Sequence, residues 1–332
     1  MQKLINEPSA FVDETLDGIL AAYPDKLRLA DDPRAVVRAD APVAGKVAIA
    51  TGGGSGHLPL FLGYVGQGLA DGCAVGDVFA SPSADVMVAV TRAINAGRGV
   101  LYLFGNYGGD VLNFELAAEL SGEEGIDVRV VTAADDVASA PPAERSRRRG
   151  IAGIALLYKI AGAKADTGAS LEEVASTTER AGDRLRSMGV ALAPCTIPAA
   201  GRPTFEVPDG QMEIGMGIHG EPGVREAPLA SVDEVARELT GSVLDDLGAE
   251  RGDSLAVLVN GLGATPMEEL HLLFRSVAAT IAERGMSVER KWIGEYATSL
   301  EMAGASVSVL RLDDELRLLL DAPASSPLVA FS

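Results

Sequence analysis

His57 and His219 are two of only three histidines in the 332-residue chain, and each lies in a glycine-rich loop. His57 ends the run Thr51-Gly52-Gly53-Gly54-Ser55-Gly56-His57, and His219 is centred in Gly215-Met216-Gly217-Ile218-His219-Gly220-Glu221-Pro222-Gly223. Glycines offer little bulk to hide an imidazole, so both rings are expected to face a ligand. A neutral imidazole suits general acid–base chemistry or nucleophilic attack on an electrophilic carbon. A third loop, Gly105-Asn106-Tyr107-Gly108-Gly109-Asp110, adds a carboxylate at the first turn of the helix that follows. Taken alone, Asp110 reads most simply as an N-cap worth about 1 kcal/mol; beside two histidines it reads as a base. The third histidine, His271 in Glu269-Leu270-His271-Leu272-Leu273, has helical surroundings and a structural role. No metal site is expected, because neither loop histidine has a second ligand three or four residues away.

Other loop chemistries fit less well. A dinucleotide fingerprint needs a third glycine where His57 stands, although Gly52 and Gly54 match the first two. The Gly45-Lys46 pair fails as a phosphate loop, since Val47 follows it and Asp40 occupies the first glycine position. The nucleophile elbow G-x-S-x-G is met by Gly53-Gly54-Ser55-Gly56 and broken by His57, which leaves a serine hydrolase using Ser55 as a minor alternative. The basic run Arg145-Ser146-Arg147-Arg148-Arg149 reads as a solvated loop, with a docking patch for an acidic partner or phosphate as the second reading.

The elements that carry these loops have an α/β pattern. Apolar runs at Lys46–Ala50, Val100–Phe104 and Val128–Val131 read as buried strands of a sheet covered on both faces. Ligands of open α/β sheets sit at the carboxyl ends of such strands, where the first two histidine and aspartate loops fall. Helical patterns follow at Leu60–Leu69, Val111–Leu120, Ile151–Ala163 and Leu171–Met188. A Gly/Pro-rich stretch from Val190 to Gly223 precedes a second alternation: helix Ser231–Leu247 with an N-cap serine, strand Leu255–Val259, helix Pro266–Arg284 and strand Val307–Leu310. Two α/β domains are expected, 1–187 and 188–332, each a largely buried sheet flanked by helices.

Charge and composition narrow the partners. With 28 basic and 47 acidic residues the net charge is −19, which argues against nucleic acid and anionic membranes. No run of apolar residues is long enough for a membrane span, and no leader pattern opens the chain, so a cytoplasmic protein is expected. Cys73 and Cys195 fit no disulfide or metal framework and read as reduced thiols.

The loops, taken in order, resemble the substrate-binding K subunit of dihydroxyacetone kinases. The resemblance runs from Lys3-Leu4-Ile5-Asn6 to Leu320-Asp321-Ala322-Pro323. It passes through Arg38–Val47, the Gly52–His57 loop, Gly105–Phe114, Cys195–Gly201, Gly217–Gly223, Val259–Pro266 and Thr298–Gly304. It implies a subunit, usually dimeric, that holds a short ketose as a hemiaminal on the histidine of Gly-Ile-His-Gly-Glu-Pro-Gly, here His219. His57 would assist the hemiaminal oxygen, and Asp110 would accept the proton of the terminal hydroxyl during phosphoryl transfer. Gly54, Ser55, Gly56 and Gly105 would line the substrate site. A covalent tether orients a small polyol and rejects glycerol, which has no carbonyl.

The resemblance places no cofactor or metal on this chain. ATP or ADP with Mg2+ would sit on a separate nucleotide-binding L subunit, itself ATP-dependent or recharged by a phosphotransferase-system phosphocarrier. Residues 1–332 end where the K part of the family ends, so the donor is expected on another chain. Three positions depart from the family: Leu58 replaces a common glutamate, and Gly105 and Gly108 replace a lysine and a threonine. Losing the lysine and the threonine weakens the case for dihydroxyacetone and opens the site to a four-carbon ketose such as erythrulose, or to a related branched or phosphorylated sugar. A non-catalytic ketose sensor is the alternative, and retention of His57, Asp110 and His219 argues against it.

Overall fold

The computed structural model describes residues 2–331. In chain order the first half contains α1 (Phe11–Ala22), β1 (Leu27–Leu29), β2 (Ala35–Arg38), β3 (Ala48–Ser55), β4 (Gly72–Val78), α2 (Ala84–Ile94), β5 (Val100–Gly105), α3 (Gly108–Glu123), β6 (Val128–Ala133), α4 (Ile154–Asp166) and α5 (Leu171–Asp183). The second half contains β7 (Leu185–Ala193), β8 (Gln211–Ile214), β9 (Arg225–Pro228), α6 (Val232–Leu247), β10 (Ser254–Gly261), α7 (Met267–Glu283), β11 (Ser287–Gly294), β12 (Ala303–Arg311) and α8 (Asp314–Asp321).

These strands form two six-stranded sheets, ordered β1-β2-β4-β3-β5-β6 and β11-β10-β12-β7-β8-β9. In the first, β4, β3, β5 and β6 run parallel, and β1 and β2 continue it antiparallel. In the second, only β10 and β11 are parallel. Side chains alternate between layers, as a strand period of two requires. On β5, Val100, Tyr102 and Phe104 join a core beneath α2 and α3, while Leu101 and Leu103 point to the opposite face. On β10, Leu255, Val257 and Val259 pack under α6 and α7, while Ala256 and Leu258 face the other way. The two inward faces share one core with α4, whose residues from Ile154 to Ala163 are all buried. The molecule is thus helix, sheet, helix, sheet, helix, with a common middle layer.

Several elements differ from the sequence expectation. Leu60–Leu69 holds only a single 3-10 turn, Leu62–Tyr64. Its glycines lie against the C-terminal tail, and a Cβ on Gly66 would come within 2.2 Å of the Ser325 carbonyl. The helix over 171–188 stops at Asp183, because Leu185 to Met188 pair with Val307 to Leu310 of β12. The passage between the halves therefore lies at Arg184, and β7 crosses the expected boundary at 187/188. The chain does not stay in the second half either. Leu316, Leu319 and Leu320 of α8 return to the middle core, and Lys159 on α4 donates to the Leu319 and Ala322 carbonyls at the end of α8. β11 is concealed in the sequence by Glu289-Arg290-Lys291, charges that suit an edge strand. Ser231 does cap α6: its hydroxyl accepts from the Glu234 N–H, and the Glu234 carboxylate reaches back to the Ser231 N–H. Among the described residues, no helix is long and apolar enough to cross a membrane.

Candidate active site

His57 leaves the carboxyl end of β3, Asp110 sits in the first turn of α3 after β5, and His219 comes from the second sheet beyond β8. The structure brings these three segments together. The rings of His57 and His219 lie 4.7 Å apart, edge to face at 84°. Phe79 stacks on His57 at 4.7 Å, and Tyr107 stands edge-on to His219 at 4.6 Å.

The loop after β3 is glycine-rich for a packing reason. A Cβ on Gly54 would lie 2.7 Å from the Ala80 backbone nitrogen and 2.8 Å from the Phe79 Cα. The segment carrying Phe79 can therefore press close enough for its ring to cover His57. Phe79 itself adopts a left-handed backbone, φ 58°, a cost of order 1–3 kcal/mol that the surrounding contacts must offset.

The second sheet fixes the other side of His57. Buried Asn260 at the end of β10 donates to the Ala297 carbonyl and accepts from the Tyr296 and Ala297 N–H groups. That pins the loop whose Thr298 carbonyl lies 2.7 Å from His57 Nδ1. A carbonyl only accepts, so Nδ1 carries the proton and Nε2 holds a lone pair. Nε2 is buried and has no partner. Burial, with the nearby His219 charge adding to it and Thr298 and Glu221 opposing, lowers His57 to a pKa of about 3. Neutral His57 is thus a hydrogen-bond acceptor at its unpartnered Nε2.

His219 is set by the same logic. Its Nδ1 donates to Glu221 Oε1 at 2.9 Å, and its backbone N–H donates to Glu221 Oε2 at 3.0 Å. In the neutral ring this bond leaves the lone pair on Nε2. Burial would raise the Glu221 carboxyl, but the His219 contacts and Arg149 outweigh it and hold the pKa at about 2. Gly217 permits this geometry: a Cβ there would lie 2.1 Å from Glu221 Oε2.

Asp110 does not cap its helix. The N-cap position is Tyr107, with no side-chain cap bond, and Asp110 Oδ1 is buried without a partner. Burial pushes its carboxyl up to about 6, against the opposing pull of the Ser81 hydroxyl and His219. A buried carboxylate with an idle oxygen near neutral titration is suited to taking up a proton.

Other expectations are corrected. Ser55 Oγ donates to the Gly76 carbonyl at 2.8 Å and makes no bond to His57 Nε2, which has no partner, so the pairing that a serine hydrolase needs is not formed. Gly54, Ser55, Gly56 and His57 line an apolar cavity of about 240 Å³ between α1 and the β3 loop, whereas Asp110 and His219 are not among its walls. Gly105 does not leave open space, because a Cβ there would meet the Tyr107 ring at 3.0 Å; Gly108 has nothing within 4 Å. The arginine run is solvated only in its first half: Arg145, Ser146 and Arg147 are exposed, whereas the last two arginines turn inward. Arg148 is buried and makes a two-pronged ion pair with Asp246, which also binds Arg186, and Arg149 turns inward to Asp136. Sequence reading did not single out Phe79, Glu221 or Thr298. Glu221 alone had a signal, two residues after His219.

Comparison with known proteins adds the family context. Residues 17–328 match the Dak1 domain model. The chain is 45% identical to an L-erythrulose kinase of Pectobacterium atrosepticum over 98% of its own length, and it spans only 56% of that protein. It is 40% identical to the dihydroxyacetone-binding subunit DhaK of the PEP-dependent dihydroxyacetone kinase of Escherichia coli, covering 98% of each chain. Among solved structures, the dihydroxyacetone kinase operon co-activator Dha-DhaQ superimposes with a TM-score of 0.88 at 31% identity, over 96% of this chain and 97% of that one.

Proposed function

The chain belongs to the Dak1 family, and on that premise we propose that it is the ketose-binding subunit of a kinase for short ketoses, with a four-carbon ketose such as erythrulose as its preferred substrate. The observation that carries the reading is the free Nε2 of His219, held so by Glu221, beside two buried and idle polar atoms, His57 Nε2 and Asp110 Oδ1. In the proposed reaction, His219 Nε2 attacks the ketose carbonyl carbon and forms a C–N bond. The carbonyl π pair moves to oxygen, which takes a proton from solvent. The product is a hemiaminal whose imidazolium, protonated at Nδ1, is paired with the Glu221 carboxylate. The new hydroxyl donates to His57 Nε2. Asp110 then accepts the proton of the terminal hydroxyl as that oxygen attacks the phosphoryl group and the bond to the donor breaks. Gly54, Ser55, Gly56 and Gly105 are proposed to shape the substrate site.

The phosphoryl donor is proposed to be a nucleotide with Mg2+ on a separate L subunit, either ATP itself or ADP recharged by a phosphotransferase-system phosphocarrier. A homodimer in the cytoplasm is the proposed working form. The direct test is a ketose carrying carbon-13 at its carbonyl. Binding should replace the carbonyl resonance with that of a saturated carbon, and a ketose that is phosphorylated without this change would overturn the tether.

Substrate length provides a second test. The open position is Gly108, so Gly108→Thr should narrow the site and shift kcat/KM toward dihydroxyacetone by about two- to tenfold, the worth of one hydroxyl contact. Gly105→Lys would press its Cβ on the Tyr107 ring beside His219 and should lower turnover of both ketoses. Equal kcat/KM ratios in the wild type and Gly108→Thr would show that this position does not set length.

A regulatory reading is favoured by one observation, the overlay on a co-activator. The buried Asp110 base favours catalysis, since a sensor has no proton to remove. An assay with a cognate L subunit separates them, because a sensor binds the ketose and yields no phosphorylated product.

A further inference from the structure

We infer that Arg149 is a positioning residue for His219, acting through Glu221 and fixed in turn by Asp136; the inference rests on the ketose-tether reading above. The Arg149 side chain is mostly buried between two loops. Its Nη2 and Nε donate to Asp136 Oδ2 at 2.7 and 3.0 Å, and Nη2 also reaches the Gly215 carbonyl at 3.2 Å. Its Nη1 lies 3.8 Å from Glu221 Oε2. One planar cation thus joins the loop after β6 to both ends of the His219 loop.

The arrangement resolves an ambiguity that Glu221 would otherwise have. A carboxylate has two equivalent oxygens, and His219 offers two donors, its backbone N–H and Nδ1–H. With the guanidinium on the Oε2 side, the carboxylate is held with Oε1 toward Nδ1, and the tautomer that this acceptor favours, with its lone pair on Nε2, is kept in place. The close approach is built into the backbone, because a Cβ on Gly217 would lie 2.6 Å from Arg149 Nη1. Asp136 is itself held, as its Oδ1 accepts from the Ala138 N–H at 3.0 Å. The remaining polar groups around the cluster do not substitute for Arg149. Glu213 is engaged with the Gly223 N–H, Asp135 with the Ile151 and Gly153 N–H groups, and the Tyr107 hydroxyl with the Gly150 carbonyl. Lysine is a poor replacement because a single ammonium cannot reach Asp136, Gly215 and Glu221 from one plane.

The test uses the full chain and two readouts. The first is the proton resonance of His219 Nδ1–H in the free protein, shifted downfield by its bond to a carboxylate. The second is the population of the ketose adduct, read with the carbon-13 label. Arg149→Met should shift or broaden the proton resonance and lower the adduct population by about three- to tenfold, the scale of a part-buried ion pair at 3.8 Å. Arg149→Lys should recover part of both. If Arg149→Met does not fold, the isosteric Asp136→Asn, which loosens the same guanidinium, reads the same two signals. A folded Arg149→Met or Asp136→Asn with wild-type resonance and adduct overturns the inference. A wild type that forms no adduct overturns the tether instead, and the proton resonance still decides whether Arg149 orients His219.

Discussion

Replacing His219 by alanine is expected to abolish the ketose adduct and to lower phosphoryl transfer by about 10³-fold or more, because the tether supplies the orientation of a substrate with few groups to grip. The protein should remain folded. The ring is partly exposed, and its main bonds are to Glu221, two residues away in the same loop. Selectivity should fall with the rate. A site that holds its substrate only by hydroxyl contacts no longer distinguishes a ketose from glycerol, so the ratio of kcat/KM for the two should collapse toward unity. Carbon-13 spectra of the labelled ketose and assays on both substrates, with the same L subunit, check the two halves of this expectation. Turnover within tenfold of wild type would place the chemistry elsewhere.

The second large effect concerns Asp110. Asp110→Asn keeps the shape and removes the base, so turnover should drop by about 10²–10⁴-fold while ketose binding persists. Its pH profile carries a sign. A base must be ionised, and burial pushes this carboxyl up to about 6. Wild-type turnover should therefore rise with pH through about 6 and then level off, and the variant should lack that limb. Stability should move the opposite way. The folded pKa is raised above the unfolded value of about 3.9, so the favourable protonated form is fully present below the unfolded pKa and is lost as pH rises through about 6. At neutral pH the ionised carboxylate costs about 2–3 kcal/mol, and Asp110→Asn should be stabilising by an amount approaching that. A helix cap predicts the reverse, a loss of about 1 kcal/mol. Thermal denaturation of both proteins between about pH 4 and pH 8 decides between the two.

The contrast between Asp110 and Glu221 shows what a sequence discloses. Both histidines could be singled out because the glycines around them leave an imbalance of bulk that only a ligand or a packed neighbour explains. For His219 the surrounding glycines make room for Glu221 and Arg149; for His57 they make room for Phe79. These are long-range contacts, and no local spacing encodes them. Asp110 was legible as a residue at a helix start, but its exact place within the first turn decides whether it is the cap. Only the helix boundary, with Tyr107 at the N-cap, fixed that. The α/β alternation was legible from apolar runs and turn residues. Leu60–Leu69 and Leu185–Met188 misled because helical spacing there is overridden by a tail contact and by pairing with β12. The arginine run misled differently: five adjacent residues rich in charge look solvated, yet Asp246 and Asp136, distant in sequence, draw two of the cations inside.

The shared middle layer has a consequence for how the molecule can be divided. α4 has sheet on both sides, and α8 crosses back from the second half to lie against it. Cutting the chain at the passage near Arg184 would leave the N-terminal fragment with α4 and α5 bare along one side and without its C-terminal strap. The C-terminal fragment would keep a sheet whose inward face, from Ala256 to Leu310, loses α4 and retains only the short α8 from the middle core. Neither piece is then an autonomous folding unit. The two fragments would be obliged to find each other to become soluble, and intact protein should melt in one cooperative step rather than half by half.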